Sequence, residues 1–432
     1  MCNIEKNLEL RDYQVRIAEE ATRIALYAGF VYLAMEVRTG KTITSLSIAD
    51  RLAGHSDVNN ILFVTKKRAI SSIESDWMKM PTEHELNLHC INYESLHKAP
   101  SIKWDVVILD EAHCLGAFPK PSKRAKATKK LIADNSPFVI LLSGTPTPES
   151  YSQMYHQVYG IPGNPFASFK NFYRFADEYV MVRQKRIGGR FINDYSRGLD
   201  SILEAMDRFT ISYTQSQAGF EAVIDENVLS VRMNPITYSI ADRLKKDLVI
   251  TGKEEVILAD TAVKLMMKLH QIYSGTVKFE SGNSKVLDTS KAEFIKRHFN
   301  GKKIGIFYKI KAELDAIQLV FGDDNITDTV EEFDTTDKNI ALQIVSGREG
   351  ISLKNAEALV YYNIDFSATS YWQSRDRMTT KERLHNKVYW VFSEGGIESD
   401  IYKTVRNKRD YTLSHFKDTF LSLEGARTAD TG

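Results

Sequence analysis

A short apolar run recurs along both halves of this chain. Each run ends in a polar or glycine-rich turn and leads into a helix-like stretch. In the first half the runs are Phe30–Met35, Asn60–Val64, Val106–Leu109 and Pro137–Leu142; in the second they are Lys303–Phe307, Ile340–Val345, Ala358–Asn363 and Lys387–Phe392. A run apolar at nearly every position fits a strand covered on both faces, as in parallel sheets whose crossovers are helices. Two such series predict an α/β fold of two lobes, each a parallel sheet with helices on both faces. The length of 432 residues exceeds what one core comfortably serves and agrees with two. The join is expected between 215 and 230, giving domains 1–220 and 221–424, with a frayed tail at 425–432. Residues 151–225 mix aromatics and charges without clear alternation, residues 232–275 read as helical, and Asp323–Asp337 reads as an acidic surface loop.

Charge narrows the partners. Lysine plus arginine number 57 against 56 acids, a formal net charge of +1, so a polycation that coats nucleic acid is excluded and any polyanion must meet a local patch. The three cysteines, Cys2, Cys90 and Cys114, are scattered without a CxxC pair, so neither a disulfide framework nor a zinc site is expected and a reducing compartment fits. Met1–Lys6 is charged, and no apolar run reaches the roughly 18 to 20 residues of a membrane span. The expectation is a soluble, cytoplasmic protein.

The chemistry begins after the first run. Glu36-Val37-Arg38-Thr39-Gly40-Lys41-Thr42 stands between a strand and a helix start, the context of a Walker A phosphate loop. Backbone N–H groups at the helix start hold phosphate oxygens there, Lys41 reaches the β- and γ-phosphates and Thr42 takes Mg²⁺. The first glycine of the full pattern is missing, since Met35 stands in its place, and a Gly-Lys-Thr turn alone also occurs without a ligand. A second element argues against that bland reading. The buried run Val106–Leu109 leads straight into Asp110-Glu111-Ala112-His113, placing two carboxylates at the carboxyl edge of a sheet, where α/β folds bind ligands. Asp110 is assigned to the metal shell, partly through water, and Glu111 to orienting or deprotonating the attacking water.

Taken in order, Gly40-Lys41-Thr42, Asp110–His113 and Ser143-Gly144-Thr145-Pro146 resemble motifs I, II and III of superfamily-two helicases. The chain is most similar to the Swi/Snf-type DNA-translocating ATPases among them, as a compact DEAH-box member of the bacterial or bacteriophage kind. Leu10–Gln14 resembles their adenine-reading motif, Ile91–Leu96 their motif Ib, Gly301–Phe307 motif IV, Ser346–Leu353 motif V and Gln373–Arg377 motif VI. The resemblance implies two RecA-like lobes with an interlobe ATP cleft. It implies that Arg11, Gln14, Arg38, Thr39, Gly40, Lys41 and Thr42 bind ATP with Mg²⁺, that Gly350, Gln373 and Arg377 face the nucleotide from the second lobe, and that His113, Ser143 and Thr145 couple nucleotide state to nucleic-acid grip.

Two positions depart from the family pattern. Arg38 stands where such loops have glycine, and Thr380 stands where motif VI has its second arginine, a group worth about 10³- to 10⁵-fold in rate. Arg377 with Arg375, Lys381 or Arg383 is expected to serve instead.

Nucleic acid is expected at Lys66, Lys67 and Arg68, which follow the second run, and at Lys120, Lys123, Arg124 and Lys126, which follow the acid box. The usual meaning of such runs is a solvated helix face. The stretch Arg183–Arg190, with Gly188-Gly189, is a third candidate, read as a loop. The expected activity is ATP-driven movement along double-stranded DNA. A strand-separating DNA or RNA helicase and an ATP-gated DNA clamp with little hydrolysis remain as alternatives.

Overall fold

The computed structural model describes residues 8–187, 190–219, 223–252, 254–347, 352–375, 377–378 and 385–407. The chain divides into two compact units, Met1–Phe220 and Glu221–Gly432. The strands of the first are β1 (Phe30–Met35), β2 (Asn60–Thr65), β3 (Asn87–Asn92), β4 (Val106–Leu109), β5 (Phe138–Leu142), β6 (Arg183–Ile187), β7 (Arg190–Asp194) and β8 (Thr210–Tyr213). Six of them form one sheet in the order β3-β2-β4-β5-β1-β8, and every pairing in it is parallel.

Alternation along β1 shows how both faces are filled. Phe30 and Tyr32 enter one apolar cluster with Val107, Leu109, Ile132 and Phe175. Val31, Leu33 and Met35 enter the other, with Ile17, Ala21 and Ala25 of the helix Asp12–Ala28 and Leu46 and Leu52 of the helix Lys41–Ala53. A strand with helices on both sides has no polar face to show, which is why its sequence is a continuous apolar run.

The second unit repeats the scheme. Its strands are β9 (Val223–Val231), β10 (Val249–Thr251), β11 (Val256–Leu258), β12 (Thr276–Lys278), β13 (Ser284–Val286), β14 (Ile304–Tyr308), β15 (Ile326–Thr327), β16 (Asn339–Gln343), β17 (Ala358–Tyr361) and β18 (His385–Ser393). The sheet runs β15-β16-β14-β17-β18-β9, again parallel throughout. In β17, Leu359 and Tyr361 face one core while Ala358 and Val360 face the other. Both units are therefore RecA-like α/β lobes.

Three segments differ from the sequence expectation. Residues 232–275 are not one helical block: β10 and β11 form a hairpin between the helices Pro235–Asp247 and Ala262–Tyr273. The acidic stretch after Asp323 is not simply a loop, because Ile326 adds a short edge strand and the fully buried Phe333 anchors the helix Val330–Thr335. The Arg183–Arg190 segment enters an antiparallel ribbon, β6–β7, outside both large sheets.

Inside the second lobe one carboxylate gathers several elements. Glu226 of β9 accepts from the Tyr371 hydroxyl at 2.8 Å, the Tyr402 hydroxyl at 2.9 Å and the Trp390 indole N–H at 3.1 Å, and pairs with Arg375. Four donors on one carboxylate tie β9 and β18 to the helices Ala368–Ser374 and Glu398–Arg406. Among the described residues no helix is long and apolar enough to cross a membrane.

Candidate nucleotide site of the first lobe

Strand order brings the motifs together. In β4-β5-β1 the three strands are neighbours, so the acid box after β4, Ser143–Pro146 after β5 and the phosphate loop after β1 meet at one carboxyl edge. Gly40 caps the helix Lys41–Ala53 in the left-handed region, φ 83°. A Cβ there would come within 2.0 Å of Gln14 Nε2, so both backbone angle and close approach require glycine. Arg38, at the position where the family pattern has glycine, also has a positive φ of 65°. The loop thus keeps the glycine-like turn with a side chain that disfavours it by about 1 to 2 kcal/mol.

The loop is braced from beneath. Thr39 is fully buried; its hydroxyl donates to Glu36 O at 2.7 Å, and its carbonyl accepts from Tyr13 OH at 3.0 Å and Gln14 Nε2 at 3.3 Å. Gln14 is 4% exposed, and its Oε1 accepts from the Arg11 backbone N–H at 2.8 Å. The Arg11 guanidinium donates to Tyr13 OH at 2.9 Å. Both ends of the Gln14 amide therefore bond within the chain, and Thr39 shapes the loop rather than facing solvent.

On the facing side, Thr65 Oγ1 donates to Asp110 Oδ2 at 2.7 Å, the Glu111 N–H donates to Oδ1 at 3.0 Å, and Tyr93 OH donates to the Asp110 carbonyl at 2.7 Å. Glu111 is held at φ 49°, and left-handed backbone at a residue other than glycine is strain of the kind found at functional sites. Its Oε2 is buried and makes no well-aligned hydrogen bond, with His113 Nδ1 3.2 Å away. His113 Nδ1 also lies 3.0 Å from Ser143 Oγ, which accepts from the Thr145 N–H at 3.1 Å. A Cβ on Gly144 would sit 3.4 Å from Lys41 Nζ. The turn after β5 therefore touches both the acid box and the phosphate loop.

The two carboxyls differ electrostatically. Burial raises the Asp110 carboxyl above its ordinary range, and the adjacent Glu111 raises it further. Burial opposes ionisation of Glu111 as well, but His113, Lys41 and Lys66 outweigh it and hold the carboxyl at about 2. A hydroxyl on Thr42 and a carboxylate on Asp110 with lone pairs left over are hard oxygen donors of the kind that suits Mg²⁺.

The basic candidates divide. Lys67, Arg68, Lys120, Lys123 and Lys126 are exposed, whereas Lys66 is half-buried beside the acid box. Arg124 is paired with Glu94 and stands 6.0 Å from the Tyr93 ring centre, and Lys129 Nζ lies 3.7 Å from that of Tyr159. In the second lobe, Arg375 is committed to Glu226, and the Arg377 carbonyl accepts from the Leu353 N–H at 2.8 Å. Gly350, Thr380, Lys381, Arg383 and the 425–432 tail lie outside the described residues, as do the side chains of Trp372 and Gln373.

Sequence reading missed the strap that follows β8. Tyr213 stacks on Tyr13, ring centres 4.7 Å apart, and its carbonyl accepts from the Glu36 N–H at 2.9 Å. The Gln215 N–H donates to Glu36 Oε2 at 2.7 Å, and its Nε2 donates to Val37 O at 2.9 Å. No motif announces these residues, which stand nearly 180 positions from the loop they hold. Gln215→Ala is expected to raise the KM for ATP about fivefold with kcat little changed, as fits a lost bond of about 1 kcal/mol. Steady-state ATPase kinetics check this, and an unchanged KM refutes the bracing role.

Residues 64–273 match the family model of the SNF2-related domain, and residues 7–100 match that of the type III restriction enzyme, res subunit. Both are domains of helicase-type, nucleic-acid-dependent ATPases. Together they include the phosphate loop, the acid box and Ser143–Pro146, and they stop before the second-lobe motifs. No curated protein sequence is significantly similar to the chain. Among solved structures, the chain is similar to the Sulfolobus solfataricus SWI2/SNF2 ATPase core in complex with dsDNA, at 16% identity over 96% of this chain and 93% of that one, TM-score 0.42. A structure described as the Sulfolobus solfataricus SWI2/SNF2 ATPase core domain is similar at 16% identity over 97% and 92%, TM-score 0.40. Likenesses of that size do not bear on activity.

Proposed function

We propose that this chain is a DNA-dependent ATPase that couples ATP hydrolysis to movement along double-stranded DNA. The observation that carries the reading is the convergence of Lys41, Thr42, Asp110 and Glu111 at the ends of neighbouring parallel strands, with the turn at Ser143 between them. The N-terminus of the helix Lys41–Ala53 and the Lys41 ammonium bind the β- and γ-phosphates. Thr42 and Asp110 hold Mg²⁺, which when bound neutralises charge on the phosphate oxygens. Glu111 aims its buried Oε2 at the attacking water. A carboxyl held at about 2 is a weak base, so orientation is its larger contribution. His113, Ser143 and Thr145 report the state of the acid box to the turn beside Lys41. The match to the SNF2-related domain supports DNA as the track.

The test is ATP hydrolysis by the full chain alone and with duplex DNA, single-stranded DNA or RNA. Duplex is expected to stimulate most. Preference for a single strand or RNA favours strand separation instead, and binding of ATP without hydrolysis makes the chain a clamp. Duplex affinity is expected to fall with salt at a log–log slope of about −4 or steeper if the exposed Lys67, Arg68, Lys120, Lys123 and Lys126 each meet a phosphate. A flat salt response refutes backbone binding by these residues.

A further inference from the structure

We propose that the ribbon β6–β7 is a duplex-DNA contact, in which the face that carries Phe191 lies against base edges in a groove and the ribbon's positive charge meets the flanking phosphates. This rests on the DNA reading above. The ribbon belongs to neither six-stranded sheet, and its register runs from Arg183 opposite Asp194 to Ile187 opposite Arg190. Its span carries Arg183, Lys185, Arg186 and Arg190 against the single acid Asp194, in a chain whose net charge is only +1. Phe191 is 70% exposed and Ile192 50%, with Met181 and Val182 exposed at the foot of the ribbon.

A two-stranded ribbon that shows apolar side chains and open edges to water is an aggregation hazard unless something covers it. Its occupant must be anionic outside and apolar within reach. Duplex DNA has both properties. Its phosphates attract the cations, its major groove, about 12 Å wide, admits a two-stranded ribbon, and its base steps accept apolar side chains. The foot of the ribbon is fixed. The Tyr195 ring packs on Phe172 and Tyr173 with centres 5.5 and 5.8 Å apart, its carbonyl accepts from Ser152 Oγ at 2.7 Å, and the Met181 N–H donates to Arg197 O at 2.9 Å. A ribbon rooted in this way carries a load on its strands into the first lobe.

The experiment is equilibrium binding of the full chain to a fluorescent duplex and to a single strand of equal length, across a salt series. Phe191→Ala is expected to weaken duplex binding about fivefold or more with an unchanged salt slope, since no charge is lost. Arg183→Ala with Lys185→Ala and Arg186→Ala is expected to flatten the slope by about 2 to 3. DNA-free ATPase stays at the wild-type level in both, which reports an intact fold. Variants that bind duplex as the wild type does overturn the ribbon contact and leave the ribbon to a protein partner. An equal loss for the single strand overturns insertion into a groove. A wild-type chain that binds no duplex sinks the DNA reading itself.

Discussion

Replacing Glu111 with glutamine is expected to lower ATP turnover by about 10²- to 10⁴-fold while leaving ATP affinity and fold in place. The separation of effects follows from the geometry. Glu111 Oε2 is buried with His113 Nδ1 3.2 Å away, so glutamine of the same shape weakens that contact and otherwise changes only the charge. The backbone N–H of residue 111, which bonds Asp110 Oδ1, survives the change, so the metal-side carboxylate keeps its orientation. Losing the negative charge removes the attraction that His113, Lys41 and Lys66 exert on this position, and with it the means of holding water against the γ-phosphate. Turnover assays paired with fluorescent-nucleotide binding decide the matter. A glutamine variant that hydrolyses ATP at the wild-type rate removes Glu111 from the mechanism, whereas one that has lost nucleotide binding as well makes it a structural residue.

Lys291→Met is expected to cost the second lobe about 3 to 5 kcal/mol. Lys291 and Glu398 are both fully buried, with Nζ 2.8 Å from Oε1, and the ammonium also donates to Tyr362 O at 3.3 Å. The ion pair joins the helix Ser290–His298 to the helix Glu398–Arg406, which itself closes one apolar core through Ile401 and Val405. Removing the cation alone strands a carboxylate whose Oε2 already lacks a partner and whose Oε1 then keeps the Ser393 hydroxyl, 3.3 Å away, and the Ser393 N–H, 3.5 Å away. Removing both charges, with Lys291→Met and Glu398→Leu, is expected to recover most of the loss, because two apolar chains carry no desolvation penalty. Denaturant unfolding of the single and double variants checks both statements. A single variant within about 1 kcal/mol of wild type shows that the pair does not secure the terminal helix.

The two effects belong to different parts of the molecule for a physical reason. The nucleotide edge keeps a polar atom unsatisfied and two residues, Arg38 and Glu111, in left-handed backbone, where strain is tolerated because surrounding bonds hold the turns. The Lys291–Glu398 pair also leaves one buried oxygen, Glu398 Oε2, without a partner, but there the opposite charge is met directly at 2.8 Å within the lobe that buries both.

Amino-acid pattern alone specifies the strands covered on both faces and the residues attached to their ends. β1 and β4 are legible to the residue, and β2, β5, β14, β16, β17 and β18 to within a few residues, because a strand between two layers of helix must be apolar at nearly every position. Within the two large sheets, the strands that the pattern does not show are β3 and β8 at the edges of one and β9 and β15 at the edges of the other; the small hairpins β10–β11 and β12–β13 are equally hidden. An edge strand has a neighbour on one side only and is half covered, so Asn87–Asn92 and Thr210–Tyr213 have no continuous apolar run to announce them. The ribbon β6–β7 lies outside both sheets, and its few exposed apolar residues are interleaved with charge.

The site divides along the same line. Lys41, Thr42, Asp110 and Glu111 follow strands that the pattern shows, so they were found. Thr65, Tyr13 and Gln215 hold the loops through bonds of ordinary residue types to backbone carbonyls and carboxylates, and the Tyr213 carbonyl accepts from the Glu36 N–H. Such bonds leave no spacing in the chain. Only the parallel stacking of β4, β5 and β1, with β8 added beside β1, decided which residues would meet, because parallel strands set all their carboxyl ends on one edge regardless of their separation in sequence.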